Sequence, residues 1–220
     1  MTHSDPRSLF AVVFEVKPHA ARMDDYLHIA AGLRPELAKV RGFVENERFR
    51  SRSRPGVLLS LSLWDDEKAL VRWRALETHR SAQHEGRDRV FEDYHLRVGE
   101  VTRVTGPFAD REVGWMRHDA TEVGQSRTLT VVDGVLSAPL RQFIDAGLSD
   151  GPHIVGHDHF DHLSEHDRSA IVVGWNSSDA AHGFAEQLAA RATQATRLYT
   201  IRVIRDYGLR DRREAPQFSR

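Results

Sequence analysis

The chain lacks cysteine altogether, has only three lysines among its 31 basic residues, and contains no apolar run near the ~20 residues that span a bilayer. Each absence excludes something. Without cysteine there are no disulfides, thiolate nucleophiles or cysteine metal sites, so any redox chemistry must use something other than sulfur. A net charge of −1 gives no long-range attraction for nucleic acid or an anionic membrane, and neither is expected as a partner. The start, MTHSDPRS, lacks the basic and apolar regions of a secretory signal, which makes the cytoplasm the expected compartment. Lys17, Lys39 and Lys68 stand alone among arginines, a bias that reads as codon usage. Charged residues at 29% and hydrophobic residues at 40% suit a globular chain able to bury a core.

The most structured stretch is Val57 to Arg80. Leu59, Leu61 and Leu63 alternate with Leu58, Ser60 and Ser62, the period of a half-buried strand ending at Trp64. Asp65 and Asp66 then cap a helix with Ala69, Leu70, Trp73 and Leu76 on one face. The pattern occurs twice. Adding 111 carries Phe49 to Phe160, Trp64 to Trp175, Ala69 to Ala180 and Trp73 to Phe184, without a gap from Val44 to Trp73. At an offset of 105, Tyr94 to Val98 matches Tyr199 to Val203. Only two copies exist, so the repeat is read as a duplicated domain and not as a solenoid unit.

In chain order, Leu9 to Lys17 reads as a strand. A helix follows from Ala20, which Pro35 is expected to break, with a second piece stopping at Gly42. Phe43 to Arg50 is a strand, the Val57 stretch supplies a strand and a helix, and in the run from Arg87 to Val104 the residues Phe91, Tyr94, Leu96, Val98 and Val101 mark a short connection and a long last strand. The order β-α-β-β-α-β is that of a ferredoxin-like domain, whose four-stranded sheet is covered by helices on one face only. The second copy can cover the other face. The expected fold is therefore α+β: two ferredoxin-like domains, 9–105 and 128–208, forming an intramolecular dimeric α+β barrel across a linker at 106–127. Trp115 and Met116 are the linker's large apolar residues and are expected to dock on a domain. The second copy has lost connecting segments, which suits a structural task, and the tail from Asp211 to Arg220 reads as frayed.

Three runs resemble the antibiotic biosynthesis monooxygenase family of the dimeric α+β barrel superfamily. They are W-x5-L-x2-W-R at Trp64 to Arg74, H-R-x2-Q-x2-G-R at His79 to Arg87, and V-F-x-D-Y-x-x-R-V at Val90 to Val98. Relatives of this type are usually homodimers of one domain, so the resemblance implies a fused pseudo-dimer, with further homo-oligomers open. It also implies a monooxygenase acting on a small aromatic molecule without a bound cofactor. The electrons must then come from the substrate: a phenol or quinol is deprotonated, its anion reduces O2, and the protein supplies a base, donors for the anion and a dry pocket. On this reading His79 or His84 is the base, Arg87 or Asn46 a donor, and Phe14, Phe43, Trp73 and Phe91 are walls of the substrate pocket in the first domain. Trp73, His79 and His84 are thus the catalytic candidates.

Two sites are weighed against blander readings. Heme-degrading relatives resemble one another in an Asn on the first strand, a Trp on the second helix and a His ten residues beyond. Trp73 fills the second place, but Gln83 stands ten residues on and FAVVFEVK has no Asn. That mechanism is not expected; a non-catalytic barrel binding heme or another hydrophobic ligand, through His79 or His84, stays open as the alternative. The group His153, His157, His159, His162 and His166 puts two imidazoles on one strand face, yet no third ligand is fixed by spacing, and a polar strand face is the preferred reading. Asn46, read as alternating with Phe43, Glu45, Glu47 and Phe49, is expected on the bare face of the sheet, in the inter-sheet contact, if those four face the helices.

Overall fold

The computed structural model describes residues 9–106, 119–149 and 151–216. The expectation for Trp115 and Met116 lies outside them. Eight strands alternate with helices: β1 (Phe10–Pro18), α1 (Met23–Ala38), β2 (Phe43–Ser51), β3 (Leu58–Trp64), α2 (Glu67–Ala75), α3 (Glu77–Glu85) and β4 (Phe91–Val104), then β5 (Thr128–Gly134), α4 (Ala138–Leu148), β6 (Ile154–His162), β7 (Ser169–Trp175), α5 (Ser178–Ala189) and β8 (Thr196–Gly208). The strands close into an antiparallel barrel in the order β1-β3-β2-β6-β7-β5-β8-β4. No described helix is long and apolar enough to cross a membrane.

The closure follows from side-chain parity. Leu59, Leu61 and Leu63 point into the barrel with Val13, Phe49, Leu129, Val131, Phe160, Val172 and Ile201, and fill it completely enough to leave these side chains 0–3% exposed. An eight-stranded barrel has just the interior that side chains can fill. Two seams join the halves. The β4–β8 seam runs from His95↔Gly208 to Val104↔Tyr199, whereas the β2–β6 seam has three register pairs from Phe49↔His162 to Ser51↔Phe160. Asp158 reinforces the short seam by accepting from Ser51 Oγ at 2.6 Å, Ser53 Oγ at 2.7 Å and Arg54 Nε at 2.8 Å.

The same parity carries charged residues into the barrel mouth. Arg168 meets Asp133 at 2.8 Å and Glu47 at 3.0 Å, and Arg197 meets Glu45 at 2.7 Å and also pairs with Asp133. His162 Nε2 lies 3.1 Å from Glu47.

Three local expectations are corrected. Pro35 does not break α1, which runs to Ala38. Proline removes one intrahelical bond, and the burial of Ala30 and Leu37 on either side of it holds the helix to the sheet. Asn46 does not face the barrel interior. A β-bulge between Phe43 and Glu45 inserts Val44, so Glu45, Glu47 and Phe49 point inward while Asn46 and Arg48 face the helices. The tail is tied down as far as Pro216. Glu214 accepts from the backbone N–H of Asp206 at 2.6 Å and of Glu122 at 2.6 Å and from Thr121 Oγ1 at 2.8 Å, and Ala215 is buried.

Candidate active site

The helix layers of the two halves differ. Over β5–β8, Leu140, Ile144, Trp175, Phe184 and Leu188 pack into one apolar cluster. Over β1–β4 the clusters around Trp64 and around Tyr94 stand apart, and a cavity of about 280 Å³ opens between them, under α1, α2 and α3. That is close to the small end of ligand pockets, roughly 300 Å³.

Its floor is divided. On the side of β1 and β4 it is apolar, with Val12, Phe14, Leu96 and Val98. On the side of β2 and β3 it is polar: Arg48 stands opposite Ser60 and Asn46 opposite Ser62. Asn46 Nδ2 donates to Ser60 Oγ at 2.8 Å and to the Leu61 carbonyl at 3.2 Å, and Trp64 Nε1 donates to Ser62 Oγ at 2.9 Å. Arg48 Nη2 donates to the Ala30 carbonyl at 3.1 Å, while its Nε is buried without a hydrogen-bond partner. A buried donor left unpaired costs about 1–3 kcal/mol. Tyr26 lies nearby. Burial pushes its hydroxyl above the usual phenol range, against the pull of the Arg48 charge.

The roof is a broken helix. Asp66 caps α2 by accepting from Ala69 N at 2.6 Å, and at Leu76 the chain turns to ψ 131° before α3 begins. His79, six residues after Trp73, would stand about 240° round a straight helix. The break brings it back, and its ring stacks on Trp73 with centroids 4.2 Å apart and planes at 17°. Nδ1 lies 3.0 Å from the Trp73 carbonyl, which can only accept, so Nδ1 carries the hydrogen and Nε2 the lone pair. Gln83 Nε2 stands 3.5 Å from that lone pair. Burial lowers the imidazole pKa to about 4, outweighing the carbonyl bond, so His79 is neutral near pH 7.

Of the residues singled out from sequence, Phe14, Asn46, Trp73, His79, His84, Arg87 and Phe91 all border the cavity. His84 is exposed at its mouth. Phe43 is not at the cavity; it packs edge-on against Trp64 with centroids 5.4 Å apart. Periodicity alone does not point to Tyr26, Arg48, Ser60 or Ser62. For the serines a signal exists, because the strand at the corresponding place in the second half, β7, has Ile171 and Val173, both buried under helices.

The histidines of the second half disperse. His157 and His159 have ring centroids 6.0 Å apart, His159 lies 3.4 Å from Asp145, and His162 belongs to the barrel mouth. Among the described residues no three His, Asp or Glu side chains are gathered as a metal ion requires. Heme is not matched by the residues present. His79 lies flat on an indole, His84 is exposed at the rim, and a cavity of about 280 Å³ is smaller than a porphyrin.

A model of the antibiotic biosynthesis monooxygenase family matches residues 9–85, the segment that builds the roof and most of the floor. A protein of Pyricularia oryzae named jasmonate monooxygenase ABM is 40% identical over 223 residues, covering 96% of this chain and 98% of that one. The chain belongs to the antibiotic biosynthesis monooxygenase family. Among solved structures, an aldoxime dehydratase is similar with a TM-score of 0.60 at 13% identity, over 98% of this chain and 91% of that one. Another, in complex with butyraldoxime, gives 0.57 at 13% identity over 91% and 81%. These two likenesses concern the fold. Family membership and cavity meet at one place, since residues 9–85 include Phe14, Arg48, Trp73 and His79.

Proposed function

We propose that the chain is a monooxygenase that oxidises a small phenol- or quinol-like molecule in the cavity of the first half, without a bound cofactor. The observation that carries this reading is the neutral, half-buried His79, whose Nε2 lone pair lies beside the Gln83 amide on the border of an aromatic-lined cavity that holds no carboxylate among its described residues. Family membership and the monooxygenase named in Pyricularia oryzae support the reaction class.

The chemistry asks four electrons of the substrate. For a phenol, ArH(OH) + O2 gives a quinone and water: one oxygen atom enters the ring and the other leaves as water. His79 Nε2 takes the hydroxyl proton. With a pKa of about 4 it is a weak base alone, and the phenolate it forms is stabilised by the imidazolium beside it and by the guanidinium groups of the lining. The anion transfers an electron to O2, recombination forms a ring hydroperoxide, and loss of water leaves the carbonyl. Trp73 fixes the imidazole plane, and the Trp73 carbonyl fixes its tautomer.

The two halves are read as copies of one unit. Both run β-α-β-β-α-β, and the bulge that inserts Val44 in β2 has its counterpart between Ile154 and Gly156 in β6, where Val155 is the extra residue. Units 9–105 and 128–208 then form a fused pseudo-dimer in which the second is structural, its helix layer packed where the first is open.

Oxygen uptake by purified protein with a panel of phenols and hydroquinones, after metal chelation, tests the function. Uptake above the uncatalysed rate is expected, falling about 10²–10⁴-fold in His79→Ala and little in His84→Ala. Absence of uptake with every substrate would reject the oxygenase and favour a ligand-binding barrel, the reading to which the low basicity of His79 otherwise lends weight.

A further inference from the structure

Among the described residues, those around the cavity include five arginines, Arg34, Arg48, Arg74, Arg87 and Arg212, and no aspartate or glutamate. The whole chain has 31 basic residues against 32 acidic ones, so this asymmetry is local and not a matter of composition. We propose that the cavity selects an organic acid, a monoanion whose carboxylate is bound by Arg48 on the polar side of the floor while its apolar body lies over Phe14 and Phe91. This rests on the placing of the substrate in this cavity.

Arg48 has the means. Its Nη2 is spent on the Ala30 carbonyl, but its Nε is buried and unpaired, and a planar carboxylate is the partner that a guanidinium edge is shaped to hold. Asn46, Ser60 and Ser62 continue a polar stripe beside it, set by the register of β2 on β3. The corresponding places of the second half hold His157, His159, Ile171 and Val173, so the stripe is confined to the half with the cavity. Arg74 adds to the bias: burial and the nearby Arg205 charge destabilise its cation, which an anion in the cavity would relieve. A phenol, with a pKa near 10, arrives neutral at pH 7; a carboxylic acid arrives as the anion that Arg48 lacks.

Paired probes of one shape test this without turnover: 2-naphthylacetate and 2-naphthylacetamide, titrated into the full chain at low salt by calorimetry. The acid is expected to bind about ten- to a hundredfold more tightly than the amide, the range of hydrogen bonds to a charged group. Arg48→Gln should bring the acid down close to the amide's affinity and weaken the amide far less. Arg48→Lys, which keeps the charge but loses the fork, should keep part of the preference, and circular dichroism checks that both variants fold. Equal binding of acid and amide by the unaltered chain would overturn the charge selection while leaving the oxygenase reading in place. A preference surviving in both Arg48 variants would overturn the assignment of the head group. Binding of neither probe would overturn this proposal together with the placing of the substrate. An acid that binds through Arg48 while no phenol or quinol supports oxygen uptake would reject the oxygenase alone.

Discussion

The stacking of His79 on Trp73 determines how the molecule should respond to acid. Burial holds the imidazole at about 4, below its ordinary 6.5. Unfolding exposes it, so between those two values the unfolded chain binds a proton that the folded chain does not. Its contribution to stability is complete above pH 6.5 and is lost as pH falls through 4, amounting to about 3 kcal/mol over the window. His79→Phe keeps a ring on Trp73 but has no proton to take up. The fall in unfolding free energy between pH 6.5 and 4, followed by urea denaturation, should be shallower in the variant, and the His79 ring protons should titrate near 4 by NMR. A titration near 6.5 would refute the buried neutral base. Helical spacing alone favours His84, which lies within about 20° of the Trp73 face on an unbroken helix. The break at Leu76 reverses that order by turning His79 inward and leaving His84 exposed.

Strand β3 shows how one element can serve two surfaces. Its leucines fill the barrel, and its serines, on the face covered by helices, leave room where β7 has Ile171 and Val173. Replacing Ser60 by Ile should therefore close the polar side of the floor. The affinity for a naphthyl ligand should fall more than about tenfold, while the melting temperature stays within a few degrees or rises, because a branched side chain buries apolar area in exchange for the Asn46 bond. Binding that survives Ser60→Ile would show that the ligand does not reach β3. Period-two alternation made this strand legible to its last residue, and the capping aspartate with the three-and-four spacing of Ala69, Leu70 and Trp73 made the helix after it legible, though not its end before Leu76. The cavity was less legible, because a serine at a half-buried position and a serine lining a site have the same periodicity. The bulge at Val44 was hidden for a related reason: an inserted residue changes which side chains face the helices without interrupting the strand pattern, and it moved Asn46 and Arg48 to the cavity while Phe43 went behind Trp64. Pro35 misled because its local cost, about 3 kcal/mol, is offset by the burial of residues on either side of it, Ala30 and Leu37 among them.

At the scale of the molecule, barrel closure was legible as a sheet with one uncovered face in each half. The seam β2–β6 and the charged barrel mouth were not, since they depend on pairs such as Arg197 with Glu45 that lie 152 residues apart. That mouth gathers three carboxylates, Glu45, Glu47 and Asp133, around two guanidinium groups, Arg168 and Arg197, with His162 on Glu47. Full ionisation leaves one negative charge in excess unless His162 is protonated. Burial, with Glu47 and Asp133 close by, raises Glu45 to about 7 from an ordinary 4.5, and burial raises Asp133 to about 6. For an acid with a raised pKa the folded chain holds the proton longer than the unfolded one. Stability from Glu45 is therefore complete below 4.5 and is lost as pH rises through 7, opposite in sign to His79. The two overlap little above about pH 7, where His79 is mostly deprotonated in the unfolded state as well, and comparison with a Glu45 variant removes the remaining overlap. Between about pH 6.5 and 8.5 the free energy of unfolding should decline, and Glu45→Gln, which keeps an acceptor for Arg197 but has no charge to gain, should decline less. Equal slopes in the two proteins would mean that Glu45 is ionised throughout, and that Arg197 outweighs both burial and its two carboxylate neighbours in the barrel mouth.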